Sequence, residues 1–231
     1  MLRIFISKIN REHVLEQTVE ALKKGSIVAY PTETFYGLGV KFDREDSLKK
    51  LYDIKKRAGD KAMPLIFGDR KLLPYATKSP NQKAILLMEE FWPGPLTLIL
   101  HAKKSISRYI TAGTGRVAVR IPGTSFALSL AQKANFFITA TSANLSGMIP
   151  AQDADAVARY FGDRIDIVID GGPTPGGLPS TIVDVTGGGI RILREGAISK
   201  ELLREFSQKH SLTFNFGEVD YSKMHGETGR I

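Results

Sequence analysis

The chain has 231 residues, a formal net charge of +8 and no cysteine. The length allows one large domain, or one domain with a small appendage, and the missing cysteine excludes a disulfide scaffold, a cysteine-ligated metal site and a thiol nucleophile. The apolar runs are far shorter than the ~20 residues of a membrane span, and residues 1–10 lack the apolar stretch of a signal peptide, so we expect a cytoplasmic protein that does not enter a membrane.

Strand-like and helix-like patterns alternate along the chain. The first half is predicted to run strand 1–7, helix 11–24, strand 26–30, helix 43–57, strand 64–67, helix 81–91 and strand 96–101. The second half is predicted to run strand 117–121, helix 125–134, strand 136–140, helix 153–161, strand 165–170, strands 181–185 and 190–193, and helix 199–206. This alternation predicts an α/β fold.

Glycine-rich segments set the limits of these elements near the C-terminus. Residues 171–179 hold too many Gly and Pro residues for a helix or strand. Residues 187–189 are all glycine and predict a hairpin turn, which requires antiparallel neighbours and therefore a mixed sheet. We expect residues 1–207 to form the domain, and the polar residues 208–231 to form a C-terminal extension with one more strand and a loose tail.

The positive charge is concentrated in the first half of the chain. Residues 1–120 carry 22 Lys and Arg against 12 Asp and Glu, a net +10, whereas residues 121–231 carry 10 against 12, a net −2. Charge alone favours a solubilising surface. The alternative is a polyanionic partner, such as nucleotide phosphates or RNA.

Polar loops follow several predicted strands, at the place where α/β sheets usually bind ligands. The loops 31–39 and 139–147 are rich in Thr, Ser and Asn, whose hydroxyl and amide groups suit a small polar ligand. Ordinary turns and helix caps are the competing interpretation. We expect residues 31–39 to stay out of regular structure because of their glycines and proline.

Several cations lie next to these loops. Lys55 and Arg57 end a predicted helix and Lys61 follows closely, so they either complement the helix dipole or clamp phosphate oxygens. Arg120 ends a strand beside the core, and a cation there requires a carboxylate from the protein or from a ligand. Arg194 follows the strand 190–193.

The sequence contains none of the common phosphate-binding or nucleophile motifs. It has no Gly-x-x-x-x-Gly-Lys-Ser/Thr loop, no Gly-x-Gly-x-x-Gly unit and no Gly-x-Ser-x-Gly elbow. Its four histidines are scattered, with no His-x-x-x-His pair, so we expect no resident metal site. The sequence therefore favours chemistry by positioning and charge neutralisation, as in phosphoryl or nucleotidyl transfer.

Seven stretches occur in the order found in a known family. They are GSIVAYPTETFYGLG at 25–39, Lys55-x-Arg57, WPGPLT at 92–97, VAVRIP at 117–122, TSANLSG at 141–147, PSTIVD at 179–184 and ILREG at 192–196. On these motifs the chain resembles the YrdC family of threonylcarbamoyl-AMP synthases over roughly residues 10–200. Residues 208–231 are too few for the extra domain of the family's longer subgroup, so we expect the short, single-domain form.

The resemblance implies an enzyme, a nucleotidyltransferase that condenses L-threonine, bicarbonate and ATP into threonylcarbamoyl-AMP and pyrophosphate, with Mg²⁺ arriving on the ATP. The product would pass to downstream threonylcarbamoyl-transferase proteins that modify adenosine 37 of tRNA. The implied fold is a twisted, mostly mixed or antiparallel open sheet with flanking helices and a basic concave face. Contact with tRNA or double-stranded RNA is expected on that face.

The resemblance also assigns roles to individual residues. The implied catalytic residues are Lys55 and Arg57. The implied threonine-binding residues are Thr34, Arg120, Ser142 and Ser180. The implied ATP-binding residues are Lys55, Arg57, Lys61, Asn144 and Arg194.

The chain departs from the family pattern at two positions near these motifs. Gly68 stands where many members carry His, and Arg116 stands where Thr or Asp is more usual. Two other functions stay open: a non-catalytic RNA-binding paralogue of the same fold, and an enzyme of related acyl-adenylate chemistry on another amine. The hydroxyl and amide side chains favour the synthase, because a pure RNA binder needs only the cations.

Overall fold

The computed structural model describes residues 1–56, 59 and 61–215. Its strands are β1 (Leu2–Phe5), β2 (Val28–Pro31), β3 (Tyr36–Gly39), β4 (Leu65–Ile66), β5 (Leu96–His101), β6 (Arg116–Arg120), β7 (Ile138–Thr139), β8 (Thr141–Ser142), β9 (Ile167–Asp170), β10 (Thr181–Asp184), β11 (Ile190–Arg194) and β12 (Phe214–Asn215). Its α-helices are α1 (Arg11–Lys23), α2 (Glu45–Ile54), α3 (Leu73–Ala76), α4 (Gln82–Phe91), α5 (Arg108–Thr111), α6 (Phe126–Ala134), α7 (Ala154–Phe161) and α8 (Lys200–Lys209).

The strands form two mixed sheets. One runs in the order β1-β9-β2-β3-β8 and the other in the order β12-β11-β10-β5-β6-β4-β7. The predicted α/β class and the mixed sheet character are confirmed, with the strands divided between two sheets. The predicted glycine turn is confirmed as well, because β10 and β11 pair antiparallel on either side of residues 187–189.

Two hydrophobic clusters hold the sheets and helices together. The larger cluster joins the two sheets, with Ala29 and Leu38 from one and Leu98 from the other. In the smaller cluster α1 and α6 cover the opposite face of β2, where they meet Val28 and Tyr30. Neighbouring residues of β2 therefore enter different clusters, as the alternation of side chains along a strand requires.

The hairpin β2–β3 corrects the expectation for residues 31–39. This segment was predicted to be irregular, yet β3 pairs antiparallel with β2 along its whole length. Its glycines are required by packing: a Cβ atom on Gly39 would lie 2.6 Å from the carbonyl oxygen of Thr139 and 2.9 Å from the ring of Tyr30. Glycine is normally depleted in strands, but here it leaves room for the backbone of Thr139 and the ring of Tyr30.

Side-chain caps fix where several helices begin. The side chains of Asn81, Ser125 and Asp153 each accept a hydrogen bond from the backbone N–H three residues further on, at the starts of α4, α6 and α7. At its other end α6 stops at Asn135, which has a left-handed φ of 53°. The cap at Ser125, five residues after Arg120, the last residue of β6, therefore fixes the start of α6.

The predicted division into residues 1–207 and 208–231 is crossed by a helix. The last helix, expected to end at residue 206, extends to Lys209, and β12 then pairs parallel with β11. Because this helix runs through residue 207, the structure marks no boundary there, and the division into residues 1–207 and 208–231 stays a prediction. In the portion of the chain that the structure describes, no helix is both long and apolar enough to cross a membrane.

Gly68 packs directly on the backbone of α6. A Cβ atom added there would lie 2.4 Å from both the amide nitrogen and the Cα of Gln132. The present spacing of β4 and α6 therefore leaves no room for a side chain at residue 68.

We expect Gly68→Ala to lower the free energy of unfolding by about 1–3 kcal/mol, because the new methyl group must push α6 away from β4. Chemical denaturation followed by circular dichroism measures the change. Gly188→Ala is the matched control, since a Cβ at Gly188 meets no atom within 4 Å. Equal stability of the two variants would contradict this account.

Candidate functional site

The turn between β2 and β3 is held by one threonine hydroxyl. Thr32 Oγ1 accepts hydrogen bonds from the backbone N–H of Thr34 (3.1 Å) and of Phe35 (3.3 Å), and donates to the carbonyl of Phe35 (2.7 Å). The carbonyl of Thr34 in turn accepts from the N–H of Gly176 at 2.8 Å. These bonds give the turn one conformation and attach the Gly/Pro-rich segment to it.

An ion pair joins this turn to the end of β6. Arg120 is only 8% exposed, and its Nη1 donates to Glu33 Oε1 at 2.6 Å. The backbone N–H of Gly123 donates to the same oxygen at 3.3 Å. The carboxylate that the sequence required for Arg120 is therefore supplied by the protein.

Glu33 is a residue that the sequence analysis did not assign. The signal was available, because a buried strand arginine needs a carboxylate and Glu33 is the carboxylate of the 31–39 segment. What the sequence could not provide was the distance between the two segments.

A second arginine lies close to the first. Arg194 donates through Nη2 to the carbonyl of Ser180 (2.8 Å) and to its hydroxyl (3.2 Å), and the hydroxyl of Thr97 lies 3.0 Å from that of Ser180. Burial lowers the pKa of Arg194, and the positive charge of Arg120 lowers it further. Arg120 and Arg194 are therefore close enough for their charges to interact, although the carboxylate of Glu33 is paired with Arg120. Two neighbouring cations favour an anionic ligand group.

The third predicted cation is buried beneath the loop after β8. Lys55 is 2% exposed, and its ammonium donates to the carbonyl of Ser142 and to that of Asn144, the latter at 2.7 Å. Ser142 Oγ donates to Asn144 Oδ1 at 2.6 Å, and the hydroxyl of Ser146 donates to the carbonyl of Lys55 at 3.0 Å. The loop 142–146 is therefore built around a fixed positive charge.

The hairpin β2–β3 connects the arginines to this loop. Its strand β3 pairs with β8, with Gly37 opposite Ser142, and the N–H of Ala143 donates to the carbonyl of Tyr36 at 2.8 Å. Its turn carries Glu33, which holds Arg120. One short element thus positions both groups of predicted site residues.

The remaining predicted residues have different positions. Lys61 is exposed, and its carbonyl accepts a hydrogen bond from the hydroxyl of Tyr52. Arg57 lies outside the described residues. Arg116, at the opposite end of β6 from Arg120, forms an ion pair with Asp184 at 3.1 Å. This departure from the family pattern therefore lies away from Arg120.

The described residues include no cluster of three or more His, Asp or Glu side chains that could hold a metal ion. What the site offers is cations, hydroxyls and amides. Such groups bind and neutralise phosphate and carboxylate oxygens.

The sequence matches a family model described as "Telomere recombination", the Sua5/YciO/YrdC model, over residues 20–196. It is 39% identical over 188 residues to threonylcarbamoyl-AMP synthase of Bacillus subtilis, covering 81% of this chain and 54% of that protein. It is 37% identical over 180 residues to threonylcarbamoyl-AMP synthase of Pyrococcus abyssi, covering 78% of this chain and 53% of that protein.

The fold is similar to the crystal structure of Pyrococcus abyssi Sua5 complexed with L-threonine. The TM-score is 0.83 at 33% sequence identity, covering 89% of this chain and 60% of that chain. The chain spans about half the length of these two curated relatives.

We expect Lys55→Met to lower the free energy of unfolding by about 1–3 kcal/mol, because it removes the ammonium that donates to the buried carbonyl of Asn144. Thermal unfolding measures the loss. Lys56→Met is the control, since the neighbouring Lys56 is exposed. If the two variants unfold alike, Lys55 does not support the loop.

Proposed function

The chain belongs to the Sua5/YciO/YrdC family, and we propose that it condenses L-threonine, bicarbonate and ATP into threonylcarbamoyl-AMP and pyrophosphate. The observation that carries the proposal is the position of two cation groups on either side of the hairpin β2–β3, each beside hydroxyl or amide side chains. A reaction between an amino-acid carbamate and a nucleoside triphosphate needs such neutralisation, because both reactants are anions. The names of the relatives support the same reaction.

Arg120 and three hydroxyl residues are proposed to bind threonine. Arg120 faces the carboxylate of threonine, with Ser180 beside it and Thr34 on the turn. Ser142 approaches the amino acid from the loop after β8. In this arrangement the threonine amine faces the nucleotide, where it forms a carbamate with bicarbonate carbon and releases water.

The nucleotide is proposed to lie between the other cations. Asn144 and Arg194 hold the nucleoside part, and Arg57 and Lys61 hold the phosphates. Lys55 supplies a fixed positive charge beneath the loop, since its ammonium is already held by carbonyls. A carbamate oxygen then attacks the α-phosphate and pyrophosphate leaves, with Mg²⁺ entering on the ATP as part of the substrate.

The wider setting is part of the proposal. The adenylate would pass to transferase proteins that modify adenosine 37 of tRNA, which places the protein in the cytoplasm. Residues 1–207 are proposed as the catalytic domain and residues 208–231 as an extension of it.

Contact with RNA is proposed on the face where α1 ends and α2 begins. Arg44 donates to the carbonyl of Lys23, and the hydroxyl of Ser47 donates to the carbonyl of Gly25 at 2.6 Å. These bonds bring exposed cations of both helices together, and the basic patch consists of Lys23, Lys24, Arg44, Lys49 and Lys50. Phosphate contacts from such a patch attract tRNA or double-stranded RNA without reading sequence.

Threonine-dependent release of pyrophosphate from ATP and bicarbonate, with threonylcarbamoyl-AMP identified by mass spectrometry, tests the reaction. We expect Arg120→Ala to raise the KM for threonine by roughly 10- to 100-fold, the usual loss for one charged hydrogen-bonding partner, with a smaller change for ATP. Arg57→Ala is expected to do the reverse. Arg159→Ala is the control, because Arg159 is exposed on α7.

The absence of threonine-dependent pyrophosphate release from the unmodified chain would refute the proposed reaction. Equal effects of Arg120→Ala and Arg57→Ala on both substrates would leave the reaction standing and refute the division of roles.

We expect the double variant Lys24→Glu/Lys49→Glu to weaken tRNA binding and to reduce its dependence on salt, by about one unit of slope for each lost phosphate contact. Filter binding at several salt concentrations measures both quantities. The charge-matched control is Arg159→Glu/Lys209→Glu, on exposed residues outside the patch. Equal weakening by the two double variants would show that net charge, and not this patch, attracts RNA.

A further inference from the structure

One carboxylate oxygen of Glu33 has no hydrogen-bond donor. Oε1 is shared by Arg120 and Gly123, whereas Oε2 is buried and unpartnered. Over residues 1–56, 59 and 61–215 it is the one buried side-chain polar atom in this condition. Such atoms are rare because burying an acceptor without a donor is costly, so this oxygen calls for an explanation.

The partner of Glu33 is also incompletely used. Arg120 makes its ion pair end-on, through Nη1 alone. A guanidinium has five N–H donors, and within the described part of the chain no acceptor other than Glu33 bonds the Arg120 side chain. Arg120 therefore has donors left for a ligand, next to a carboxylate that has an acceptor left.

This pair matches the charges of an α-amino acid. The carboxylate of a zwitterion needs donors, its ammonium needs an acceptor, and the two groups are joined by one carbon. The side chains of Arg120 and Glu33 keep 10% and 16% of their surface exposed, so both reach the surface of the site.

We propose that Glu33 binds the α-amino group of the substrate through Oε2 while Oε1 holds Arg120 against the substrate carboxylate. This assignment rests on the proposed function and adds a binding residue to it. The contact survives the proposed chemistry, because the nitrogen of a carbamate still carries an N–H donor. It also predicts weaker binding of a carboxylic acid that has no donor in place of the α-amino group, because Oε2 then stays unpaired.

Isothermal titration calorimetry of the full chain with two ligands tests the proposal. One ligand is L-threonine and the other is (R)-3-hydroxybutanoate, which is threonine without its amino group. We expect Glu33→Gln to weaken threonine binding by about 10- to 100-fold and to leave binding of the analogue unchanged, since the amide keeps an oxygen for Arg120 but replaces the other oxygen with a donor. Glu12→Gln is the control, at an exposed glutamate that pairs with Lys133.

Equal weakening of both ligands, or no weakening, would overturn the assignment, because Glu33 would then act only by holding Arg120 or not at all. If Glu33→Gln does not fold, the unmodified chain still decides: analogue binding as tight as threonine binding overturns the proposal. Failure of the unmodified chain to bind threonine would refute the proposed function itself. Threonine binding with an unchanged ligand ratio in Glu33→Gln would refute only the role of Glu33.

Discussion

The site depends on the ion pair between Arg120 and Glu33. A guanidinium that is almost fully buried is costly unless a carboxylate is held beside it, and this carboxylate comes from a turn far away in the sequence. The turn is itself fixed by the hydroxyl of Thr32. The Glu33 side chain, at the turn of one hairpin, therefore determines the position of Arg120. It thereby also affects the pKa of Arg194, which burial and the charge of Arg120 lower.

A second buried charge serves the other side of the same hairpin. Lys55 organises the loop 142–146 by donating hydrogen bonds to its backbone carbonyls. Both devices place a cation where hydration is lost and supply its acceptors from a neighbouring segment. The predicted site residues are thereby held in position by contacts within the protein, and such preorganisation reduces the entropy lost when a ligand binds.

The sequence predicted much of this fold because many elements have clear patterns. The strand predicted at 96–101 matches β5, and the long amphipathic helices lie where their apolar stripes placed them. It missed β3, because the glycines of this strand have low strand propensity and are required by close packing against Thr139 and Tyr30. It identified Arg120 as a cation in need of a partner but missed Glu33, because a contact between distant segments produces no periodic pattern in the sequence. The burial of Lys55 was hidden for the same reason.

The contact of Gly68 with α6 limits how parts can be exchanged between relatives. The backbone at Gly68 packs against the backbone of α6 with no side chain between them. The size of residue 68 and the distance from β4 to α6 are therefore coupled. A histidine at residue 68 would overlap the backbone of Gln132 unless α6 moved away. Chimeras within the family should therefore take β4, residue 68 and α6 from the same parent.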